Sequence, residues 1–147
     1  MVKTHIGYWI AKIYLQTHLL CLQNGSGMID IHCSGIQQPA KGIMIIYLYD
    51  DPAAWGNKER YFRMYKFNLS ALPNTNFQLE NLPFGTYAIR MLIDLNENGD
   101  VDYNLIGQSD EQIGYSNNPI KIFSKPTFRD ARFALVKERL DLTIEMK

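Results

Sequence analysis

The chain has 147 residues, 46% of them hydrophobic, which is enough for one domain with a buried core and excludes wholesale disorder. Lysine and arginine together number 15, and so do aspartate and glutamate, so the formal net charge is zero. A neutral chain has no long-range field that attracts nucleic acid or an anionic membrane. The composition therefore predicts neither a nucleic-acid-binding protein nor a membrane-surface protein.

Residues 1–27 differ in character from the rest of the chain. Lys3 precedes a mostly apolar stretch over 6–22, which is the pattern of an export signal, although Lys12, Gln16 and His18 interrupt it. The same interruptions argue against a membrane-spanning helix, which needs about 20 consecutive apolar residues. We predict an atypical export signal, with a disordered or helical extension as the alternative. The domain itself is expected over 28–147, in a periplasmic or secreted protein.

From residue 28 onward the apolar residues recur with a period of two, which predicts β-strands. We expect strands over 28–33, 41–50 and 86–95, another around Phe77 and Leu79, and a short return strand over 101–106. Glycines, prolines and asparagines predict a long loop over 107–127. Two closing strands follow at 129–136 and 140–146. The alternation in the last strand is typical of an antiparallel sheet with one face in water.

About seven short strands without a long helix predict an all-β fold, an antiparallel β-sandwich. Cys33 shares one strand face with apolar neighbours, so we expect a buried and unreactive thiol. Cys21 and Cys33 do not make a disulfide framework, and their spacing does not fit a zinc finger.

The run from residue 94 to residue 102 carries oxygen-bearing side chains at alternate positions around a glycine. Calcium takes about six to eight oxygen ligands, so the run is a candidate Ca²⁺ loop. The candidate ligands are Asp94, Asn96, Asn98 and Asp102 through their side chains and Asp100 through its carbonyl.

The same run also fits a metal-free Asn-Gly turn between two strands, whose side chains cap their own backbone. An EF-hand is excluded because Leu105 stands where that loop has its bidentate glutamate. Asp50 or Asp51, at the end of the second strand, are the candidates for completing a calcium shell.

A second candidate site is the aromatic and basic segment 55–67. Trp55, Tyr61 and Tyr65 would form a surface for a carbohydrate or small ligand, with Arg60 or Arg63 binding a carboxylate or phosphate. The alternative is an edge strand or short helix whose aromatic side chains pack while its cations reach water.

The sequence contains no evident catalytic machinery. It lacks the Gly-x-Ser-x-Gly elbow and the Gly-x-Gly-x-x-Gly phosphate loop, and His32 lies on the outer face of a strand with no evident partner. Tyr87 is expected to pack at a sheet corner and to hydrogen-bond the backbone. We predict a non-enzymatic structural or binding module, with a protein or glycan as its partner.

Four motifs occur in order along the second half of the chain: residues 81–87 (Asn-Leu-Pro-Phe-Gly-Thr-Tyr), 94–102, 114–118 (Gly-Tyr-Ser-Asn-Asn) and 126–131 (Pro-Thr-Phe-Arg-Asp-Ala). The first resembles the turn of many transthyretin-like (prealbumin-like) sandwich domains of secreted and surface proteins. Together they resemble an uncharacterised, usually exported bacterial family of unknown function. The resemblance covers residues 28–147 and implies a fold and a compartment, but no activity. Members often have a histidine before the acidic loop, where this chain has Ile93.

Overall fold

The computed structural model describes residues 25–37, 42–71, 75–99, 102, 105, 111–121 and 124–147. Within them, eight strands form two sheets, one of three strands and one of five, with a single α-helical turn. The predicted all-β sandwich is therefore confirmed. Residues 1–24 of the proposed export segment lie outside the described residues, and so does most of the expected return strand over 101–106. Ser26 and Gly27 already belong to the first strand, so the domain begins before the predicted residue 28.

The strands are, in chain order, β1 (Ser26–Ser34), β2 (Ile43–Tyr49), β3 (Arg63–Asn68), β4 (Asn76–Pro83), β5 (Gly85–Asp94), β6 (Ile113–Tyr115), β7 (Arg132–Leu135) and β8 (Arg139–Glu145). The helical turn α1 spans Phe128–Ala131, and short 3-10 turns lie at Pro52–Ala54 and Leu69–Ala71. The smaller sheet has the order β4-β1-β8. The larger has the order β3-β2-β5-β6, with β7 also paired to β5.

The partner direction of the last strand differs from the prediction. β8 pairs with β1 in parallel, whereas the other strand pairs of the described residues are antiparallel. The predicted alternation along β8 is present, with the side chain of Ile144 buried and those of Asp141 and Glu145 exposed. Alternation reports which face of a strand is buried but not the direction of its neighbour, so the sequence could not supply this detail.

The main core lies between the two sheets. Alternate residues of β2 and β5 face the apolar residues of β1 and β4, and this set includes Met44, Ile46, Leu48, Ile89, Met91, Ile29, Ile31 and Leu79. The intervening residues of β2 point to the other face of the larger sheet, where Tyr49 packs against Trp55 and the α1 turn. Burial on both faces explains why β2 reads as a nearly continuous apolar run.

The region predicted as a long loop contains a strand, and the strand predicted after it begins as a helix. β6 lies inside 107–127, and Phe128–Ala131 is a helical turn from which β7 continues. The helix is started by a capping box in which Thr127 and Asp130 bond to each other's backbone N–H groups. A three-residue strand containing glycine is too short to show a period of two.

Ser116 closes a gap in the larger sheet. β6 and β7 pair with the same edge of β5, one after the other, and Ile89 lies between the two pairings. The Ser116 N–H donates to the Ile89 carbonyl at 3.1 Å, and the Ser116 hydroxyl accepts from the Ile89 N–H at 2.9 Å. The hydroxyl also donates to the Ala131 carbonyl at 2.5 Å, and the residue is fully buried. One side chain thus satisfies backbone groups that no strand reaches.

The same corner joins the two sheets. Ile113 and Lys147 exchange two backbone hydrogen bonds of 2.9 and 3.0 Å. The Asn118 side chain donates to the Thr143 carbonyl at 2.9 Å and accepts from the Glu145 N–H at 2.8 Å, as a neighbouring strand would. At Gly114 a Cβ atom would lie 2.7 Å from Ile144 Cγ2, so the close approach of β6 and β8 requires glycine. The 114–118 motif is therefore a structural junction.

Replacing the Ser116 hydroxyl tests this junction. Ser116→Ala leaves the Ile89 N–H and the Ala131 carbonyl buried without their partner, which costs about 1–3 kcal/mol of unfolding free energy. Ser70→Ala, at an exposed serine, is the control and should change stability by less than about 0.5 kcal/mol. Urea unfolding followed by circular dichroism measures both. Equal stability of the two variants would contradict the assigned role.

Candidate functional site

The acidic loop begins at the end of the central strand β5. Asp94 is the last residue of that strand and is only 1% exposed. Its carboxylate accepts from the Asn98 N–H at 3.2 Å and from the Gly99 N–H at 2.7 Å. Glu97 and Gly99 both have positive φ angles, which bend the backbone around the carboxylate. The loop therefore winds about a buried negative charge.

The other predicted side-chain ligands gather at the same loop. Asp102 Oδ2 accepts hydrogen bonds from the side-chain amides of Asn98, at 2.9 Å, and of Asn96. Asn96 Oδ1 in turn accepts from the Asn98 N–H at 3.1 Å. The structure thus brings together Asp94, Asn96, Asn98 and Asp102. The remaining predicted ligand, Asp100, lies outside the described residues.

Glu111 is a fifth member of the site that sequence reasoning missed. Its side chain is 7% exposed and its two oxygens accept from the Leu95 N–H at 2.9 Å and from the Asp102 N–H at 2.8 Å. One carboxylate thereby ties the beginning of the loop to its later part. No spacing rule predicts this contact, because Glu111 follows a stretch without periodic pattern.

The acids expected to complete a calcium shell lie elsewhere. β2 runs antiparallel to β5, so Ile43 lies opposite Asp94 and Tyr49 lies opposite Ala88. Asp50 and Asp51 follow Tyr49 and are therefore roughly 20 Å from the loop along the strand. Asp51 instead caps the 3-10 turn by accepting from the Ala53 N–H at 2.8 Å. That part of the prediction was wrong. The sequence placed Asp50 and Asp51 at the end of β2, but it did not show that β2 runs antiparallel to β5 and so ends far from the loop.

The chemistry available at the loop is that of oxygen ligands. Within the described ranges, no group of three or more histidine, cysteine, aspartate or glutamate side chains is placed to hold a metal ion. The predicted shell also includes amide and carbonyl oxygens, and one of its members, Asp100, is not described. Calcium binding therefore stays a prediction. The alternative of a self-capped turn accounts for the contacts of Asp94 and Asn98.

The aromatic side chains of segment 55–67 are mostly packed. Trp55 donates its indole N–H to the Pro126 carbonyl at 2.8 Å and lies edge-on to Tyr49, with 5.1 Å between ring centroids. Tyr65 packs against the main core. Tyr61 is 39% exposed and lies 5.7 Å from the ring of Tyr47. Of the three aromatic residues predicted to contact a ligand, only Tyr61 is well exposed.

The two arginines of the segment are engaged separately. Arg60 lies 3.6 Å from the Asp51 carboxylate at the surface, and Arg63 donates to the Glu80 carbonyl at 3.1 Å, which connects the edges of the two sheets. β3 is an edge strand of the larger sheet. The structure therefore matches the interpretation of residues 63–67 as an edge strand with packed aromatic side chains.

Two smaller predictions about β1 have different outcomes. Cys33 is half-buried rather than fully buried, its sulfur lies 3.9 Å from that of Met91, and burial raises the pKa of its thiol to about 12. A raised thiol pKa agrees with the expected low reactivity, which stays a prediction. His32 does have partners, since its ring nitrogens lie 3.2 Å from Asn76 Oδ1 and 3.6 Å from Asp141. All three residues are exposed on the outer face of the smaller sheet.

The fold and the loop define a class of all-β sandwich domains in which an acidic loop extends from the central strand. Residues 31–143 match the model of the family described as "Uncharacterized protein conserved in bacteria (DUF2141)", and the chain belongs to that family. No curated protein and no solved structure matches the chain. In the part of the chain that the structure describes, no helix is both long and apolar enough to cross a membrane.

Asp94→Asn tests the role of the buried carboxylate in the loop. An asparagine has one acceptor oxygen, so its NH₂ group would face one of the two backbone N–H groups that Asp94 now satisfies. We expect a loss of about 1–3 kcal/mol in unfolding free energy, measured in chelator. Glu97→Gln, at an exposed acid of the same loop, is the control. If both variants unfold at the same urea concentration as the wild type, the carboxylate does not organise the loop.

Proposed function

We propose that this protein is a non-enzymatic structural or binding module that functions outside the cytoplasm. Its fold in this proposal is a transthyretin-like β-sandwich, and its acidic loop binds Ca²⁺. The observation that carries the calcium proposal is the gathering of the Asn96, Asn98 and Asp102 side chains, through mutual hydrogen bonds, in the loop whose backbone N–H groups bind the buried Asp94 carboxylate. A non-enzymatic role is supported by His32 of β1, whose partners among the described residues are an amide on β4 and a carboxylate on β8 rather than a nucleophile.

The charge distribution of the loop favours a cation. Among the described residues, Asp94 and Asp102 have no lysine, arginine or histidine as a partner. Their contacts are hydrogen bonds from backbone and amide N–H groups. A divalent cation would balance two carboxylates whose contacts, in the described part of the chain, are with partial charges, and Asp94 is largely removed from solvent.

The asparagines can change their role without movement of the backbone. Asn96 and Asn98 both direct their amide nitrogens at Asp102. Rotation of an amide about its last side-chain bond exchanges the nitrogen for the oxygen, so the same side chains would present oxygen to a bound ion. For Asn96 this rotation gives up the hydrogen bond that its Oδ1 accepts from the Asn98 N–H, and the contact with the ion would replace it. The loop is already bent, which lowers the ordering cost of binding.

Calcium would also order the segment that follows. Glu111 accepts hydrogen bonds from the loop and directly precedes Gln112. The Gln112 carbonyl accepts from the Ile93 N–H at 2.9 Å, and β6 begins with the next residue. An ion held between Asp94 and Asp102 would fix the start of this return path. The expected function of the ion is therefore structural.

Thermal and urea unfolding in calcium and in chelator test the calcium proposal. A ligand present at about one hundred times its dissociation constant adds about 2.7 kcal/mol to the unfolding free energy. Asp102→Ala removes one proposed ligand at an exposed position and should abolish the shift. Asp51→Ala, at the opposite end of β2, should retain it. Identical melting of the wild type in millimolar Ca²⁺ and in chelator would refute calcium binding.

Export is tested by the N-terminal segment alone. Residues 1–27 fused to alkaline phosphatase, which is active only outside the bacterial cytoplasm, should yield an active reporter. Replacing apolar residues Leu19 and Leu20 by aspartate should abolish that activity, because an export signal depends on its apolar stretch. An inactive wild-type fusion that accumulates in the cell would overturn the proposed location.

A further inference from the structure

A cavity of about 310 Å³ lies beside β6, at the corner where the two sheets are joined. Its apolar part includes Ile113, Tyr115 and two prolines, Pro119 and Pro126. Its polar part includes the side chains of Lys121, Glu145, Lys147 and Glu111. The calcium proposal makes no use of this cavity, and neither does the aromatic and basic segment that the sequence singled out.

The size and lining of the cavity are those of a small-molecule site. Such sites occupy about 300–1,000 Å³ and combine apolar walls with a few polar groups. A volume at the lower end of that range accommodates a single ring rather than an extended chain. The ligand is therefore expected to be about the size of one sugar or one amino acid.

The apolar wall is held in place by its neighbours. The centroid of the Tyr115 ring lies 6.0 Å from that of Trp55, whose indole N–H donates to the carbonyl of Pro126. Tyr115 is itself anchored by backbone pairing with Arg90 of β5. A wall fixed in this way does not need to be ordered when a ligand binds, which lowers the cost of binding.

Each of the two lysines at the cavity is balanced by a carboxylate. The ammonium of Lys121 lies 3.2 Å from Asp130, and that of Lys147 lies 3.2 Å from Glu145. Hydrogen bonds from the Thr127 hydroxyl and backbone N–H lower the pKa of Asp130 to about 2, with Lys121 contributing, so Asp130 stays ionised at neutral pH. Each lysine therefore already has a carboxylate partner.

This balance discriminates between ligand classes. An anionic ligand would place another negative charge beside Asp130, Glu145 and Glu111, and a cationic ligand would place another positive charge beside Lys121 and Lys147. A hydroxyl group accepts from an ammonium and donates to a carboxylate, so it bonds to such a pair without breaking it. A sugar ring adds an apolar C–H face, which suits a fixed aromatic ring.

We propose that this cavity binds a neutral sugar ring, with the C–H face on Tyr115 and the hydroxyl groups toward Lys121, Glu145 and Lys147. The site goes beyond the proposed calcium module and does not depend on it. Glu111 is left out of the tests because its carboxylate also holds the acidic loop.

Titrations of the full chain monitored by ¹⁵N–¹H correlation spectra test the proposal. The probes are D-glucose, D-galactose, D-mannose and N-acetyl-D-glucosamine, with D-glucuronate as the charged comparison, all in chelator so that failure of calcium binding has no influence. At least one neutral sugar should cause saturable shifts of the Tyr115 and Lys147 amides at millimolar concentration. D-glucuronate should bind more weakly than that sugar.

Three variants separate this cavity from other surfaces. Tyr115→Ala should weaken binding about tenfold. Because Tyr115 also packs on Trp55, Lys147→Met is a second variant that leaves this packing intact, and it should weaken binding as well. Tyr61→Ala changes an exposed tyrosine of segment 55–67 and should bind like the wild type.

Three results would overturn the proposal. The first is the absence of saturable shifts with all four neutral sugars. The second is wild-type affinity in both Lys147→Met and Tyr115→Ala, or a loss confined to Tyr61→Ala, which would place the site on segment 55–67. The third is tighter binding of D-glucuronate than of any neutral sugar, which would mean that the charge balance does not select the ligand.

Discussion

The backbone of β5 must find hydrogen-bond partners on both of its edges, because this strand lies inside the larger sheet and is buried along most of its length. Buried N–H and C=O groups without partners are costly, so the chain has to supply a partner for each. β2 pairs with one edge from Ala88 to Asp94 without interruption. On the other edge β7, Ser116 and β6 follow one another and complete the pairing.

Both ends of β5 are fastened by specific side chains. At its start, the Tyr87 hydroxyl donates to the Pro83 carbonyl at 2.8 Å, and Tyr87 is 3% exposed, so the expected sheet corner is confirmed. At its end, Asp94 receives two backbone N–H groups of the following loop. The strand that organises the sandwich therefore also presents the acidic loop. The loop's geometry depends on the fold through Asp94, the last residue of a buried strand, and through Glu111, which precedes β6.

The two proposed sites share the return path from β5 to β6. Glu111 accepts hydrogen bonds from the acidic loop and also lines the cavity beside β6. An ion bound in the loop and a sugar bound in the cavity would thus both act on the residues just before β6, the strand at which the two sheets are joined. Any coupling between them would be reciprocal, since each would change the other's affinity by the same factor.

The sequence by itself determined features that depend on neighbours along the chain. Alternation located β1, β5 and β8, the continuous apolar run located β2, and the local spacing from 94 to 102 predicted that those oxygens meet. Only the tertiary structure decided which distant groups join them. Glu111 enters the acidic loop and Asp51 does not, because strand direction and register determine which ends meet. Trp55 is partly buried against Tyr49 and Phe128, and β8 runs parallel to β1. Residue patterns record which face is buried, whereas the identity of the covering partner depends on long-range pairing.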